Sequence, residues 1–282
     1  MDQYILRRYF PARSQTYVYV SALCSVFWLA AIAIAAPDVF DVAPASALSM
    51  MLVGALYVAS LFPYSAAIRD KDISAVIPVY QIIPFMTLLI GYLLFGDKVA
   101  SGDILAGGII VLGAVGCIWD YEMRAFPVRP FVLTMLGSML VAGYMVGIHA
   151  LAQGWPWYKV LFWLLTTRMV FGVGGLAGAS NRQSAIRSFR ASGGRVIGLC
   201  VFEQGFSVAA QASLVVAMAS APSAFHVNLC SGLQPLFGLL GGIMLGHILP
   251  RHFNKAKADR TLAARSIGIA CIFGGLFLLL RP

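Results

Sequence analysis

The segment IPVYQIIPFMTLLIGYLLFGDK, residues Ile77–Lys98, decides the fold of this chain. It stays apolar for about 20 residues, the length at which a single helix crosses a bilayer. Tyr80, Pro84, Thr87 and Gly91 fall at positions i, i+4, i+7 and i+11, which share one helical face. This face carries small and hydroxyl-bearing side chains and is interrupted by proline. We therefore expect it to pack closely against another helix or to line a cavity rather than to contact lipid.

A second segment, SGLQPLFGLLGGIMLGH at residues 231–247, repeats this design. Ser231, Pro235, Gly238 and Gly242 have the same spacing, with proline again in second place. The helix after each segment carries two glycines six positions apart, namely Gly107 with Gly113 and Gly268 with Gly274. The pattern predicts two copies of one membrane unit, residues 1–125 and residues 126–282.

The composition predicts an all-α integral membrane protein. The chain is 60% hydrophobic and only 11% charged, with a mean hydropathy of +0.84, whereas soluble domains carry about 25% charged residues. The apolar runs are as long as membrane helices and do not alternate as barrel strands do. The five cysteines lie singly in different apolar runs, a pattern that predicts neither a metal site nor a disulfide framework. We expect no metal and no cofactor.

We predict nine transmembrane helices joined by short loops: 17–36, 49–68, 74–95, 104–119, 131–151, 157–177, 196–219, 224–248 and 264–280. Most of the 20 basic residues fall in alternate loops, which the positive-inside rule places in the cytoplasm. The net charge of +9 therefore indicates topology rather than a nucleic-acid partner. The third and eighth spans are an odd number of crossings apart, so the two copies enter the membrane from opposite faces, as inverted repeats do.

The repeated segments resemble the drug/metabolite transporter superfamily, specifically its EamA-like ten-helix exporters. The first copy matches the family pattern at Pro84, Gly91, Phe95, Gly96 and Asp97. The second copy matches at Pro235, Gly242, Leu245, Gly246 and, where the family has an acid, His247. The resemblance implies five helices in each unit, so we interpret MDQYILRRYF as the tail of a first helix that is otherwise missing, with a natural nine-helix form as the alternative. It also implies a multi-pass protein of the plasma membrane, the inner membrane in bacteria.

Several polar side chains lie inside the predicted spans. Arg168 and Glu203 fall within neighbouring spans, where a charge costs roughly 2.5–3.5 kcal/mol on insertion scales. Gln204, Ser207 and Gln211 form a stripe at i, i+3 and i+7, and a stripe with the same spacing recurs in the first copy. The candidates for a solute cavity are Tyr57, Ser60, Tyr64, Tyr80, Pro84, Thr87, Arg168, Glu203, Gln204, Ser207, Gln211, Asn228, Ser231 and Pro235.

Glu203 is also our candidate for coupling transport to a proton gradient. The alternative for Arg168 and Glu203 is a static structural pair, or side chains that reach the headgroups. The alternative for the polar stripes is that they join helices to one another. The G-x-x-x-G pairs at 143 and 147, 174 and 178, and 238 and 242 predict close helix packing. The basic segments RSFRASGGR and RHFNKAKADR are predicted to be solvated loops.

These observations favour a secondary transporter that exports small organic metabolites, such as amino acids or similar amphipathic compounds, by alternating access. Its partners would be the solute and the lipid bilayer. No P-loop, HExxH or GxSxG motif occurs in the chain, which argues against ATP hydrolysis and against an enzyme. The alternatives are a non-transporting membrane subunit or scaffold and, less favoured, an intramembrane enzyme.

Overall fold

The structure is a computed structural model that describes residues 5, 9–10, 14–70, 76, 79–96, 101–118, 128–192, 195–221, 223–231 and 260–279. Every regular element in these ranges is helical, as the sequence predicts. Two short 3-10 helices, Pro37–Phe40 and Tyr80–Ile82, accompany the α-helices. The α-helices are α1 Ser14–Cys24, α2 Val26–Ala35, α3 Pro44–Asp70, α4 Ile83–Phe95, α5 Ser101–Ile118, α6 Val128–Ala152, α7 Trp157–Ala177, α8 Ala179–Ser192, α9 Arg195–Ser220, α10 Ala224–Ser231 and α11 Arg260–Leu279.

Five segments are long and apolar enough to cross a membrane: Gln15–Ala35, Pro44–Arg69, Val128–Ala152, Trp157–Ala177 and Arg195–Ser220. Shorter apolar helices lie within α4, α5 and α11. Large apolar side chains cover the outer faces of these helices, and Ile34, Leu93 and Leu112 are 82%, 75% and 72% exposed. Such an exterior suits contact with hydrocarbon, and the fold is that of a helical membrane protein.

The first predicted span is divided into α1 and α2 at Ser25. The Ser25 hydroxyl donates to the Ala22 carbonyl at 2.6 Å, and the Ser25 backbone N–H bonds the same oxygen at 3.2 Å. A serine that bonds its own preceding turn competes with the regular helical pattern and bends the helix. The predicted span 17–36 largely coincides with the apolar segment Gln15–Ala35, which consists of two helices rather than one.

Pro84 lies in the first turn of α4 rather than in the middle of a long helix. Proline has no N–H to give to the carbonyl four residues earlier, which belongs to Tyr80. That carbonyl instead accepts from Ile83, three residues on, and this bond closes the 3-10 turn Tyr80–Ile82. At its other end α4 stops at Gly96, whose φ of 71° is left-handed and favours glycine.

Small residues set the distance between the helices. The contacts of Gly147 with Val53 and of Gly143 with Leu56 show that α3 and α6 run antiparallel. In the same way α1 packs on α7, because the ring of Tyr19 lies against Gly175. The pair at 143 and 147 packs as predicted.

The pair at 174 and 178 does not pack as predicted. Gly174 has open space around it, and Gly178 faces only Gly175 and Asn181 of its own chain segment. The glycines of α7 that meet another helix are Gly172 and Gly175. The pair at 238 and 242 lies outside the described residues.

Helices α5 and α11 also pack closely and antiparallel. A Cβ placed on Gly113 would lie 2.6 Å from the Gly268 carbonyl oxygen, and one placed on Gly275 would lie 2.8 Å from the Ala106 carbonyl oxygen. Gly274, which the sequence pairs with Gly268, faces open space. The glycines of α11 that meet α5 are therefore Gly268 and Gly275.

The segment RSFRASGGR was predicted to be a loop, but its first part belongs to helix α8. Ala185 and Ser188 are buried on the inner face of α8, and the Ser188 hydroxyl donates to the Tyr9 carbonyl at 2.6 Å. The exposed face carries basic residues such as Arg182. Because small residues are buried on one face of α8 and cations are exposed on the other, α8 is amphipathic. The helical spacing of these residues favours a helix over a loop. Most of RHFNKAKADR lies outside the described residues.

A polar cluster joins the α2–α3 connection to the start of α7. The Tyr158 hydroxyl donates to the Asp38 carboxylate at 2.7 Å, and the Lys159 ammonium lies 3.2 Å from the same oxygen. Trp163 donates its indole N–H to the Val39 carbonyl at 3.2 Å. The Tyr158 hydrogen bond, followed by Lys159, holds the pKa of Asp38 below its ordinary value of 3.8.

Replacing Asp38 with Asn should lower the unfolding temperature of the purified protein at pH 7. The lowered folded-state pKa means that the carboxylate stabilises the fold above pH 3.8 and loses this effect as pH falls through the folded-state pKa. Thermal unfolding followed by tryptophan fluorescence between pH 7 and pH 3 measures the change. Asp41→Asn is the matched control because Lys159 meets the Asp41 carbonyl, not its carboxylate. Equal effects of the two substitutions at pH 7 would contradict the assignment.

Replacing Gly113 with Ala should destabilise the α5–α11 contact. The new methyl would press on the Gly268 backbone, and overpacking of this kind typically costs about 1–3 kcal/mol. Gly108→Ala, on the same helix with no atom within 4 Å of its Cβ position, should be neutral or stabilising because alanine favours helix. Unfolding temperatures of both variants in detergent test the contact, and a Gly113→Ala protein as stable as Gly108→Ala would refute it.

Candidate functional site

The site is built around Arg168, which α7 buries near its middle at 3% exposure. Its Nη1 donates to the Gln204 side-chain oxygen at 3.1 Å and to the Ser207 hydroxyl at 3.3 Å. The guanidinium also lies over the ring of Tyr57, with Cζ 4.3 Å from the ring centroid. Burying a cation inside a membrane costs free energy. Here two neutral hydrogen-bond acceptors and the face of the Tyr57 ring offset part of that cost.

Glu203 joins this network through Gln204. The Gln204 amide donates to the Glu203 carboxylate at 3.0 Å and to the Ser21 hydroxyl at 2.6 Å, and Ser21 donates in turn to Glu203 at 2.9 Å. The predicted association of Arg168 with Glu203 therefore runs through an amide that bonds both side chains. Because Ser21 lies on α1 and the other two residues on α9, the network also ties these helices together.

Aromatic rings extend the site from Arg168 towards α6. Tyr57 of α3 packs against Tyr144 of α6 with ring centroids 5.0 Å apart. Tyr64 of α3 also meets Tyr80 of the 3-10 helix Tyr80–Ile82 edge to face, with ring centroids 5.6 Å apart. Gly137 of α6 leaves room for the Tyr80 hydroxyl, which lies against it. One tyrosine pair thus joins α3 to α6 beside the buried cation, and the other joins α3 to the 3-10 helix.

Several buried polar side-chain atoms of the inner helices form no hydrogen bond within the described chain. They are the hydroxyls of Tyr80, Ser138 and Tyr144, the Gln81 side-chain oxygen, and both amide atoms of Gln211. An unsatisfied buried polar group costs about 1–3 kcal/mol, so native proteins normally supply a partner for it. These atoms mark where a polar ligand or water would be bound.

A second polar contact joins α10 to α4. Asn228 of α10 donates to the Thr87 hydroxyl of α4 at 2.8 Å, and Thr87 donates to the Ile83 carbonyl at 2.9 Å. Pro84, Thr87 and Gly91 are all buried, so the face predicted to avoid lipid is an inner face. Ser231 ends α10, but its side chain and the whole of Pro235 lie outside the described residues.

Three further polar side chains bond groups of the protein itself. Ser60 is buried and bonds the Tyr57 carbonyl of its own helix at 2.7 Å. His149 meets the Met218 carbonyl at 3.0 Å through Nδ1, which joins α6 to α9. His226 is exposed and pairs with Ser223. In the residues described, no group of three or more His, Cys, Asp or Glu side chains could hold a metal ion.

Sequence reasoning missed Ser21, Ser138 and Tyr144. Ser138 and Tyr144 are polar residues inside the α6 span, where only the glycine spacing was interpreted. Tyr144 lies seven positions after Gly137, so the two share a helical face. The seven-residue spacing between Gly137 and Tyr144 is the sequence signal that could have placed Tyr144 on an inner helix face. Ser21 had no such signal, because only the fold brings it beside Glu203.

Comparison with known proteins shows a likeness of fold alone. No family model matches the chain, and no curated protein matches it. A solved structure described only as a crystal structure of protein is similar with a TM-score of 0.57 and 15% sequence identity. The similarity covers 99% of this chain and 93% of that one. The helical arrangement is thus shared by another chain over almost its full length.

Replacing Tyr144 with Phe should leave the protein as stable as before or stabilise it by about 1–3 kcal/mol, because it removes a buried hydroxyl that bonds nothing in the described chain. Tyr158→Phe is the matched control and should lower stability, because it deletes the bond to Asp38. Unfolding temperatures in detergent without added solute measure both. A loss in Tyr144→Phe as large as that in Tyr158→Phe would show that the Tyr144 hydroxyl has a structural partner.

Proposed function

We propose that this protein is a secondary transporter that exports small organic metabolites across the plasma membrane, related to the EamA-like exporters of the drug/metabolite transporter superfamily. The observation that carries the proposal is the network of Arg168, Gln204, Glu203 and Ser21. Ionisable groups within membrane helices are rare, face the interior of the bundle and commonly mark solute and ion pathways.

The contacts between helices support an arrangement of two inverted five-helix units. Under the proposed repeat α1 corresponds to α7, α4 to α10 and α5 to α11, and the members of each pair pack against each other. The pairs α1–α7 and α5–α11 run antiparallel, as an axis in the membrane plane requires. The nine predicted spans and their inverted repeat are therefore part of the proposal.

The polar site lies between the two proposed units. Tyr57 and Ser21 come from the first unit, whereas Arg168, Glu203 and Gln204 come from the second. Likewise, Thr87 belongs to the first unit and its partner Asn228 to the second. A solute held by these side chains would contact both units, and rocking of one unit against the other would expose it to each side of the membrane in turn.

Glu203 is the proposed coupling group. It can exist as carboxylate or acid, and Ser21 and Gln204, which donate to it, come from different helices. A change in the charge of Glu203 would therefore alter the hydrogen bonds that join α1 to α9. Each charge that crosses a potential of 100 mV supplies about 2.3 kcal/mol, enough for a gradient of roughly 50-fold.

Replacing Glu203 with Gln should abolish solute movement driven by a pH gradient while the protein remains folded in the membrane. Gln keeps the size of Glu and can still accept from Ser21, but it does not take up a proton. The measurement is uptake of a labelled metabolite panel into reconstituted vesicles, with and without an imposed pH gradient. Asp41→Asn removes a carboxylate in the α2–α3 connection and serves as control. Unchanged pH-driven transport in Glu203→Gln would exclude this residue as the coupling group, and vesicles that move no solute at all would contradict the transporter.

A further inference from the structure

We propose that the solute bound at this site carries a carboxylate and that Arg168 pairs with it through Nε and Nη2. The inference rests on the proposed function, since it names the solute class for the same site. It depends on which donors of Arg168 are already used, on the charge around them, and on buried polar atoms nearby.

The donors of Arg168 are only partly used. A guanidinium has five N–H donors in a rigid plane. The two hydrogen bonds to Gln204 and Ser207 are both made by Nη1, and in the described part of the chain Nε and Nη2 make none. Nε and Nη2 present parallel N–H groups along one edge, the arrangement that matches the two oxygens of a carboxylate.

The charge around Arg168 also favours an anion. Gln204, Ser207 and Tyr57 are neutral, and among the described residues the carboxylate of Glu203 is linked to Arg168 through the Gln204 amide. Among the buried residues of the described chain, Arg168 is the one cation. A single carboxylate would neutralise it and satisfy its remaining donors. A doubly charged phosphate monoester would bring more negative charge than one guanidinium balances.

The surroundings indicate what the rest of the solute looks like. The ring of Tyr57 lies against Arg168 and packs on the ring of Tyr144, and aromatic surroundings of this kind suit an apolar or aromatic body. The Tyr144 hydroxyl and the Gln211 amide, at 1% and 5% exposure, have no partner in the described chain. Gln211 lies seven residues after Gln204 on the same face of α9, so these groups can meet a polar substituent away from the carboxylate. The solute is therefore an aromatic or apolar monocarboxylate with a second hydrogen-bonding group.

Three probes of similar shape test the head group: 3-(4-hydroxyphenyl)propanoate, its amide, and tyramine. They carry a negative charge, no charge and a positive charge. Binding to the purified full chain in detergent is measured by the shift in unfolding temperature and by tryptophan fluorescence. The propanoate should bind at least about tenfold more tightly than its amide, because it gains a charge-assisted pair of hydrogen bonds. Equal or tighter binding of the amide or of tyramine, or no binding of any probe, would overturn the proposal.

Variants locate the interaction. Arg168→Gln should remove the preference for propanoate over amide, and Arg168→Lys should retain only part of it because lysine lacks the planar fork. Arg182→Gln, on the exposed face of α8, should change nothing. Tyr144→Phe, expected to fold normally, should weaken propanoate and amide alike through the lost hydroxyl. A carboxylate preference that survives in Arg168→Gln would overturn the assignment.

Transport assays separate this inference from the proposed function. Vesicles that move neutral or cationic solutes, with Arg168→Gln as active as the parent protein, would overturn the carboxylate assignment and leave the transporter in place. Protein that binds the propanoate through Arg168 but moves no solute under any gradient would overturn the transporter and leave the binding site.

Discussion

The burial of one guanidinium inside an apolar bundle is the constraint on which the arrangement of the inner helices depends. Arg168 is too far from either end of α7 for its charge to be solvated cheaply, so the fold must bring polar groups to it. It does so with Gln204 and Ser207 from α9 and with the ring of Tyr57 from α3. Loss of these partners would leave an uncompensated charge, which costs far more than any of the individual bonds contributes.

Close packing makes this polar arrangement possible. Without water to drive apolar surfaces together, membrane helices associate through van der Waals contact and interhelical hydrogen bonds. Glycines therefore occur where backbones must approach, as at Gly172 of α7 against α1 and Gly147 of α6 against α3. The α1–α7 contact brings Ser21 near the α9 network, and the α3–α6 contact brings Tyr57 against Tyr144. The small residues thus determine which polar groups can meet.

The class of fold was predictable from the sequence, because apolar runs of membrane length leave few alternatives. The association of Arg168 with Gln204, Ser207 and Glu203 was also within reach, since helical spacing places Gln204 and Ser207 on one face. Breaks within helices were harder to foresee. The bend at Ser25 depends on a hydroxyl bonding its own backbone, and the short 3-10 turn before Pro84 depends on which carbonyl the proline leaves free. The role of Tyr144 required knowing which helix faces α3, and that is a tertiary fact.

The bend at Ser25 has a mechanical consequence for the first span. Ser21 and its bonds to α9 lie on the α1 side of the break, while α2 continues as a separate rod of ten residues. Trp28 of α2 nevertheless reaches the same helix, because its indole N–H donates to the Val201 carbonyl of α9 at 3.4 Å and its ring lies against Gly205. Both rods of the first span are therefore anchored to α9 close to Glu203 and Gln204, so a displacement of either rod is coupled to the helix that carries the charged centre.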